Sequence, residues 1–291
     1  MAFIFHSQHI NEKRFSSEKE GVRKMKKLLA LVICFTFVGV GSLYGQPLKR
    51  HTLEIGPEIS YFTYKEPGVM RERGLMYGIA GSYAYHNKIM LKVEAKGSYG
   101  WLDYVGGTWG GTRLTLNNIP DYMLEFRALG GYDFYLLNKS FAMTPYIGIG
   151  YRYLNDNSHR KYIGGYERKS NYVYSPIGFE FNIGLGNKWF IKEIMEFDYF
   201  WWGRQKSYLS NADPGLNDPS NRQKQGYGLR GSLALRKQFK IVSFEFGPFI
   251  KYWNIKKSTK EILIFYGVPV DFAYEPRNNS TEIGIMLVFR F

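Results

Sequence analysis

The chain has 291 residues, 18% of them aromatic, with 32 glycines, one cysteine and a formal net charge of +14. The length allows one large or two ordinary domains, and the lone cysteine excludes a disulfide scaffold. Abundant aromatics and glycine at a mean hydropathy of −0.31 suit a β-barrel in which only every second residue meets lipid, and also admit a soluble all-β protein.

Residues 1–24 are polar and charged, and read as an extension from a start codon placed too far upstream. Met25-Lys26-Lys27 is followed by the apolar run Leu28 to Gly41 and small residues around Gly45, the pattern of a secretory signal peptide over 25–45. The run is short for a membrane anchor helix. Cys34 lies inside it, and Ile33 is a poor neighbour for a lipidated cysteine. Removing 1–45 takes away seven Lys/Arg and three Asp/Glu and leaves +10 on the exported portion, 46–291. That balance points to anionic lipid headgroups or surface polysaccharide, and no nucleic-acid partner is expected.

From residue 52 onward, segments of period two alternate with breaks. They cover 52–64, 74–85, 89–103, 122–136, 141–153, 172–185, 189–204, 226–236, 240–254 and 279–291. His86-Asn87-Lys88, Leu137-Asn138-Lys139, Gly186-Asn187-Lys188 and Lys237-Gln238 are tight turns. The other five links are longer: 65–73, 104–121, 154–170, 205–225 and 255–278. Short links at one end and long links at the other predict a closed antiparallel transmembrane β-barrel of about ten strands, with short periplasmic turns and long extracellular loops. A soluble periplasmic sandwich is the alternative. Trp101, Trp201, Trp202, Trp253, Tyr64, Tyr151, Tyr153 and Tyr172 are assigned to an outer aromatic belt, and Tyr85, Phe134, Phe141 and Trp189 to an inner one. Glu193 departs from the pattern by falling on the apolar side, which a bulge or a periplasmic-end position would explain.

The last strand, NSTEIGIMLVFRF, carries aromatics at Phe289 and Phe291. It resembles the terminal strand of bacterial outer-membrane barrels, and the resemblance implies an assembly signal read by the barrel-assembly machinery. DYMLEFRALGGYDF, PYIGIGYRYLND and GYGLRGSLAL resemble small exported outer-membrane barrel proteins of Gram-negative bacteria that have no assigned activity. The likeness spans most of 51–291 and implies the fold, with no site residues.

The polar face of the segments holds ten acids: Glu54, Glu58, Glu94, Glu125, Asp133, Glu180, Glu196, Asp198, Glu245 and Glu282. Nine bases stand against them: Lys92, Lys96, Arg127, Arg152, Lys192, Arg230, Arg236, Lys251 and Arg290. Facing a narrow lumen, this near-balanced set is expected to pair into a salt-bridged plug; an ion-selective pore is the functional alternative. The excess positive charge then falls on the loops. Arg160, Lys161, Arg168, Lys169, Lys206, Lys256, Lys257 and Lys260 are candidates for contacts with lipopolysaccharide phosphates. Ten strands is also the architecture of the omptin proteases, but His159 and Asp156 make no matching motif, and Ser158 beside His159 is only a sequence neighbour. Without HExxH, a Cys/His cluster or a phosphate-cradling loop, no catalytic residue, metal ligand or cofactor is expected. The expected role is structural, or surface interaction through the loops. A small ion or solute channel is the first alternative, and an omptin-like rim hydrolase the second.

Overall fold

The computed structural model describes residues 48–107, 111–137 and 140–291. The upstream extension, the signal segment with Cys34, and turn residues Asn138 and Lys139 lie outside the described residues. Strands β1 (His51–Glu66), β2 (Met70–Asn87), β3 (Ile89–Gly107) and β4 (Arg113–Tyr132) run as successive antiparallel neighbours. A three-residue strand, β5 (Phe134–Leu136), follows, and both β4 and β5 pair with β6 (Phe141–Asn157). Next come β7 (Glu167–Gly186), β8 (Trp189–Tyr208) and the short β9 (Ser220–Gln223), which pairs with β8. The wall continues through β10 (Gly226–Gln238) and β11 (Ser243–Ile255). A separate hairpin of β12 (Glu261–Phe265) and β13 (Val268–Ala273) precedes the last strand, β14 (Asn278–Arg290).

Closure comes from β14, which pairs with β11 on one side and β1 on the other, so the main strands form a closed ten-stranded antiparallel barrel. Such closure removes the sheet edges whose backbone groups lipid could not satisfy. Polarity is inside out relative to a soluble protein: Leu53, Ile79, Leu91, Val93, Ile147 and Phe246 face outward and exposed, while Lys96, Glu125, Arg127 and Glu282 are buried in the lumen. The soluble sandwich is thereby overturned.

The turns around Asn87-Lys88 and Asn187-Lys188 behave as expected, whereas Lys237 and Gln238 stay in the β10–β11 ladder and the chain turns over 239–242 instead. Lys88, Leu137, Asn187 and Lys188 all take positive φ, between 48° and 64°, a left-handed turn conformation. The long breaks do not. The link from β1 to β2 is only Pro67 to Val69, and β4 starts at Arg113 rather than near Tyr122. Apolar alternation ends where lipid ends, but the backbone ladder has no reason to stop there. The wall therefore rises beyond the lipid on the β1–β8 side, where strands have 16 to 20 residues apart from the interrupted β4–β5–β6 corner. On the lower side β10, β11 and β14 have 13 residues each. Only the links 209–225 and 256–277 stay long, and both hold ordered pieces, namely a 3-10 turn with β9 and the β12–β13 hairpin.

Trp101, Trp201 and Trp202 face outward as expected for the outer belt, but Tyr64, Tyr172 and Trp253 are buried inside the barrel. Their inward parity decides this: each stands in register with other lumen residues, and proximity to a loop end is not sufficient to make an aromatic interfacial. Glu193 shows no bulge. It pairs in regular register with Phe181 and Leu233 on the outer face, and it is 1% exposed.

Candidate functional site

The lumen contains one continuous ionic web. Lys96 bridges Glu58 and Glu282, the latter at 2.6 Å. Lys251 lies 4.0 Å from Glu282 and 3.6 Å from Glu125, which takes a two-pronged contact from Arg230 at 2.7 and 3.1 Å. Arg230 Nε reaches Glu196 at 2.9 Å, and Arg127 joins Glu196 at 2.6 Å to Glu94 at 3.1 Å. Asp198 sits 3.9 Å from Arg230. Lys92 carries the web from Glu94 to Glu180 at 2.8 and 3.3 Å. Lys192 ties Glu54 at 2.9 Å to Glu245 at 3.7 Å, and Arg236 and Arg290 close on Glu245 at 3.3 and 3.5 Å. Tyr146 and Tyr174 donate to Glu196 and Glu125, each at 2.6 Å. Charges that would be costly alone in this confined interior are thus paired and hydrogen-bonded.

Two members of the expected set lie outside the web. Asp133, at the periplasmic end, accepts from Thr144 at 2.7 Å and contacts His86 Nδ1 at 3.0 Å. Arg152 stacks over the Trp253 ring at 5.5 Å and donates to Ser280. The web leaves a cavity of about 160 Å³ among Glu54, Lys92, Arg127 and Lys192, room for water.

Above the web an apolar layer crosses the lumen. Phe62, Met76, Leu102 and Met123 form one half, Tyr172, Tyr174, Phe200, Trp253 and Ile255 the other, and Leu154 packs against both. Tyr174 meets Trp253 edge-to-face at 4.9 Å. Nothing in composition or alternation announced this layer, because aromatic and methionine residues on the inward parity look like exceptions to the rule that finds the strands.

A third tier forms the extracellular mouth, level with the outward polar residues Thr63, Lys65, Arg71, Arg73 and Asp103 and so beyond the lipid-facing zone. It gathers Glu66, Glu72, Asp121 and Asp156 around Arg168, all from segments read in the sequence as breaks or their edges. Arg168 donates to Asp156 at 2.7 Å, Glu66 at 3.0 Å and Glu72 at 3.0 Å. Its guanidinium is therefore committed inward. The expectation that Arg168 offers itself to a lipid phosphate is corrected by this burial. Burial and the Asp156 carboxylate push Glu72 well above the usual carboxylate range, against the pull of Arg168. Glu275, from the last loop, reaches the same tier, accepting from Tyr64 at 2.8 Å and pairing with Gln205. Burial and Glu66 raise it well above its ordinary value.

The remaining cations sit on the rim. Lys169 and Lys206 face each other across β7 and β8, both over the Tyr208 ring at 4.6 and 4.4 Å, and Arg204 stands opposite Arg222 across β8 and β9. Lys161 donates to the Asn118 carbonyl, while Lys257 and Lys260 stack on Tyr274 and Phe272. Arg160 and Lys256 are exposed. His159 is exposed in the 3-10 turn Ser158–Arg160, with no contact to the acidic tier.

No protein-family model matches the chain, and no curated protein matches it in sequence. Among solved structures, the outer membrane protease OmpT of Escherichia coli superposes with a TM-score of 0.58 over 87% of this chain and 100% of OmpT, at 10% identity. The chain folds as an outer-membrane β-barrel. This outer-membrane barrel also aligns, at TM-scores of 0.35 and 0.37, with the Pseudomonas putida toluene transporter TodX and a major outer membrane protein of Thermus thermophilus. Both are 11% identical; the alignments cover 87% of this chain and 94% of TodX, and 82% of this chain and 99% of the Thermus protein. At such identities the likeness concerns the fold of the barrel, not its chemistry.

Proposed function

We propose that this is a non-conducting barrel of the bacterial outer membrane, exported by its signal segment, that works as a surface-interaction protein through its extracellular face. One observation carries the reading. The lumen is filled by an ionic web and then by an apolar layer, which supports a face outside them as the surface offered to a partner. Steady ion-selective openings of the refolded protein in a planar bilayer would sink it; silence from protein with heat-modifiable gel mobility is the expected result.

The favoured partner is the outer-leaflet glycolipid. Lys169 opposite Lys206 and Arg204 opposite Arg222 place like charges side by side just above outward-facing Trp201 and Trp202. Such pairs repel unless an anion lies nearby; Glu167 answers Lys169 at 3.1 Å, and a phosphate would answer the others, Lys and Arg being its natural partners. Replacing these four with Gln is expected to weaken lipopolysaccharide binding by the folded barrel at least about tenfold, a shift of about 1.4 kcal/mol. Unchanged binding would remove the glycolipid from the proposal. OmpT is a protease and its fold covers this chain, so peptide cleavage by the refolded protein is the discriminating assay for the hydrolase alternative.

A further inference from the structure

The mouth tier differs from the web below it in charge balance. In the lumen ten acids face nine bases. At the mouth Glu66, Glu72, Asp121 and Asp156, with Glu275 beside them, gather around Arg168, the cation paired with them among the described residues. Three of these acids, Glu72, Asp121 and Asp156, each offer an oxygen, and those oxygens all lie within 4.8 Å of one another. They come from β2, β4 and β6, which lie on one side of the mouth with only β3 between β2 and β4, and Asp121 stands directly opposite Asp156. Arg168 takes Glu72 Oε2 and Asp156 Oδ2. Asp121 Oδ1 and Asp156 Oδ1 are buried with no hydrogen-bond partner, and Asp121 as a whole is only 8% exposed. A buried carboxylate oxygen without a donor is costly, and it marks a position that something else must satisfy.

We propose that Glu72, Asp121 and Asp156 bind a divalent cation, calcium by preference, which ties β2, β4 and β6 together on one side of the extracellular mouth. The donor set is all oxygen, which suits hard cations and disfavours zinc or copper, whose protein sites are built from imidazole and thiolate. Calcium, at about 2.3–2.6 Å from each oxygen and tolerant of irregular geometry, accommodates three oxygens that lie within 4.8 Å of one another. Magnesium demands near-ideal octahedral geometry and gives up its waters reluctantly, so a set of three carboxylates from three strands suits it less well. Arg168 occupies the carboxylate oxygens on the other side and fixes the acids in place, leaving Asp121 Oδ1 and Asp156 Oδ1 to the ion. Three protein ligands leave coordination positions for water. This inference concerns the barrel's own acids, independent of whether Lys169 and its neighbours hold glycolipid.

The test uses the refolded barrel in lipopolysaccharide-free detergent, stripped with EDTA, and calcium chloride as the probe. Isothermal titration is expected to show one saturable calcium site, with magnesium binding at least about tenfold more weakly. Asp121→Asn keeps the shape and removes a ligand, and should weaken calcium binding by about tenfold or more, since even indirect partners of metal ligands are worth that much. Glu261→Gln, on the β12–β13 hairpin, should leave it unchanged. Heat-modifiable mobility verifies folding of each variant; should Asp121→Asn fail to fold, Asp156→Asn supplies the same comparison. Folded wild-type protein that takes up no calcium, or ligand variants that bind it as tightly as wild type, would overturn the proposal.

Discussion

Replacing Glu193 should stabilise this protein. The residue lies on the outer face of β8, four residues from the periplasmic-belt Trp189, so with about 3.3 Å per residue and a strand tilt near 40° it sits roughly 10 Å inside the lipid zone. Its cross-strand neighbours are Phe181 and Leu233, and both carboxylate oxygens are buried without a hydrogen-bond partner. Outward side chains and lipid cover the carboxyl; the Lys192 and Glu196 side chains on the same strand point the other way, into the lumen. An unsatisfied buried polar group costs about 1–3 kcal/mol. Glu193→Leu removes that cost, and its isobutyl group replaces polar atoms with about one additional methyl's worth of apolar burial, roughly 0.8 kcal/mol. The expected gain is about 2–4 kcal/mol. Glu193→Gln, which keeps unsatisfied polar atoms but cannot ionise, should gain less. Urea-unfolding midpoints in phospholipid vesicles, read by gel mobility and tryptophan fluorescence, measure both. If Glu193→Leu were no more stable than wild type while remaining folded, the carboxylate would have a partner and the reasoning would be wrong.

Arg127→Met should cost about 1–3 kcal/mol in the same assay, because it removes one partner each from Glu94 and Glu196 while Lys92 and Arg230 stay in place. Gly247→Ala should be destabilising by at least about 1–3 kcal/mol, since the new Cβ would meet the Leu233 carbonyl oxygen at 1.9 Å and β10 and β11 would have to part. Raising the pH should loosen the last loop. Glu275 is protonated more readily in the folded protein than in the unfolded chain, so its contribution falls as pH rises from the ordinary carboxylate range through its raised value. Amide exchange over 256–277 should quicken with pH beyond the intrinsic rate increase, and Glu275→Gln should flatten that excess. Deleting Phe291, whose N–H donates to the Leu53 carbonyl at 2.9 Å, should reduce assembly in cells far more than refolding in detergent, if the terminal aromatic is the signal for the assembly machinery.

The barrel was legible in the sequence because lipid imposes a rule on alternate residues. Leu53, Ile79, Val93 and Phe246 obey it, and their partners in parity gave the lumen charges with the same certainty as the outward ones. Above the lipid that rule lapses. Arg71, Glu72 and Arg73 alternate in and out as faithfully as Ile79 and Ala80, but all three are charged, so the pattern reads as a break. The acidic mouth was lost for this reason. Counting parity upward from Glu58 would have placed Glu66 inward; Glu72 would follow by counting down β2 from Ser82. Trp253 and Tyr172 were misplaced through a different route. Aromatic residues near a loop end suit an interfacial belt and a lumen filler equally well, and only the parity of the strand separates the two. The union of β2, β4 and β6 acids comes from the register of successive strands, which sets Asp121 opposite Asp156 and which no linear spacing reveals.

The ionic web has a consequence for how the ring chooses its alignment. A strand that slips by one residue turns its charges toward lipid and is rejected at once. A slip by two keeps every apolar residue outside, and bilayer energetics alone would scarcely notice. The lumen would notice. Moving β14 by two against β1 separates Glu282 from Lys96 and Arg290 from Glu54. The web thus acts as a combination lock on the shear of the barrel: lipid selects odd from even, and the charges select one even setting among several.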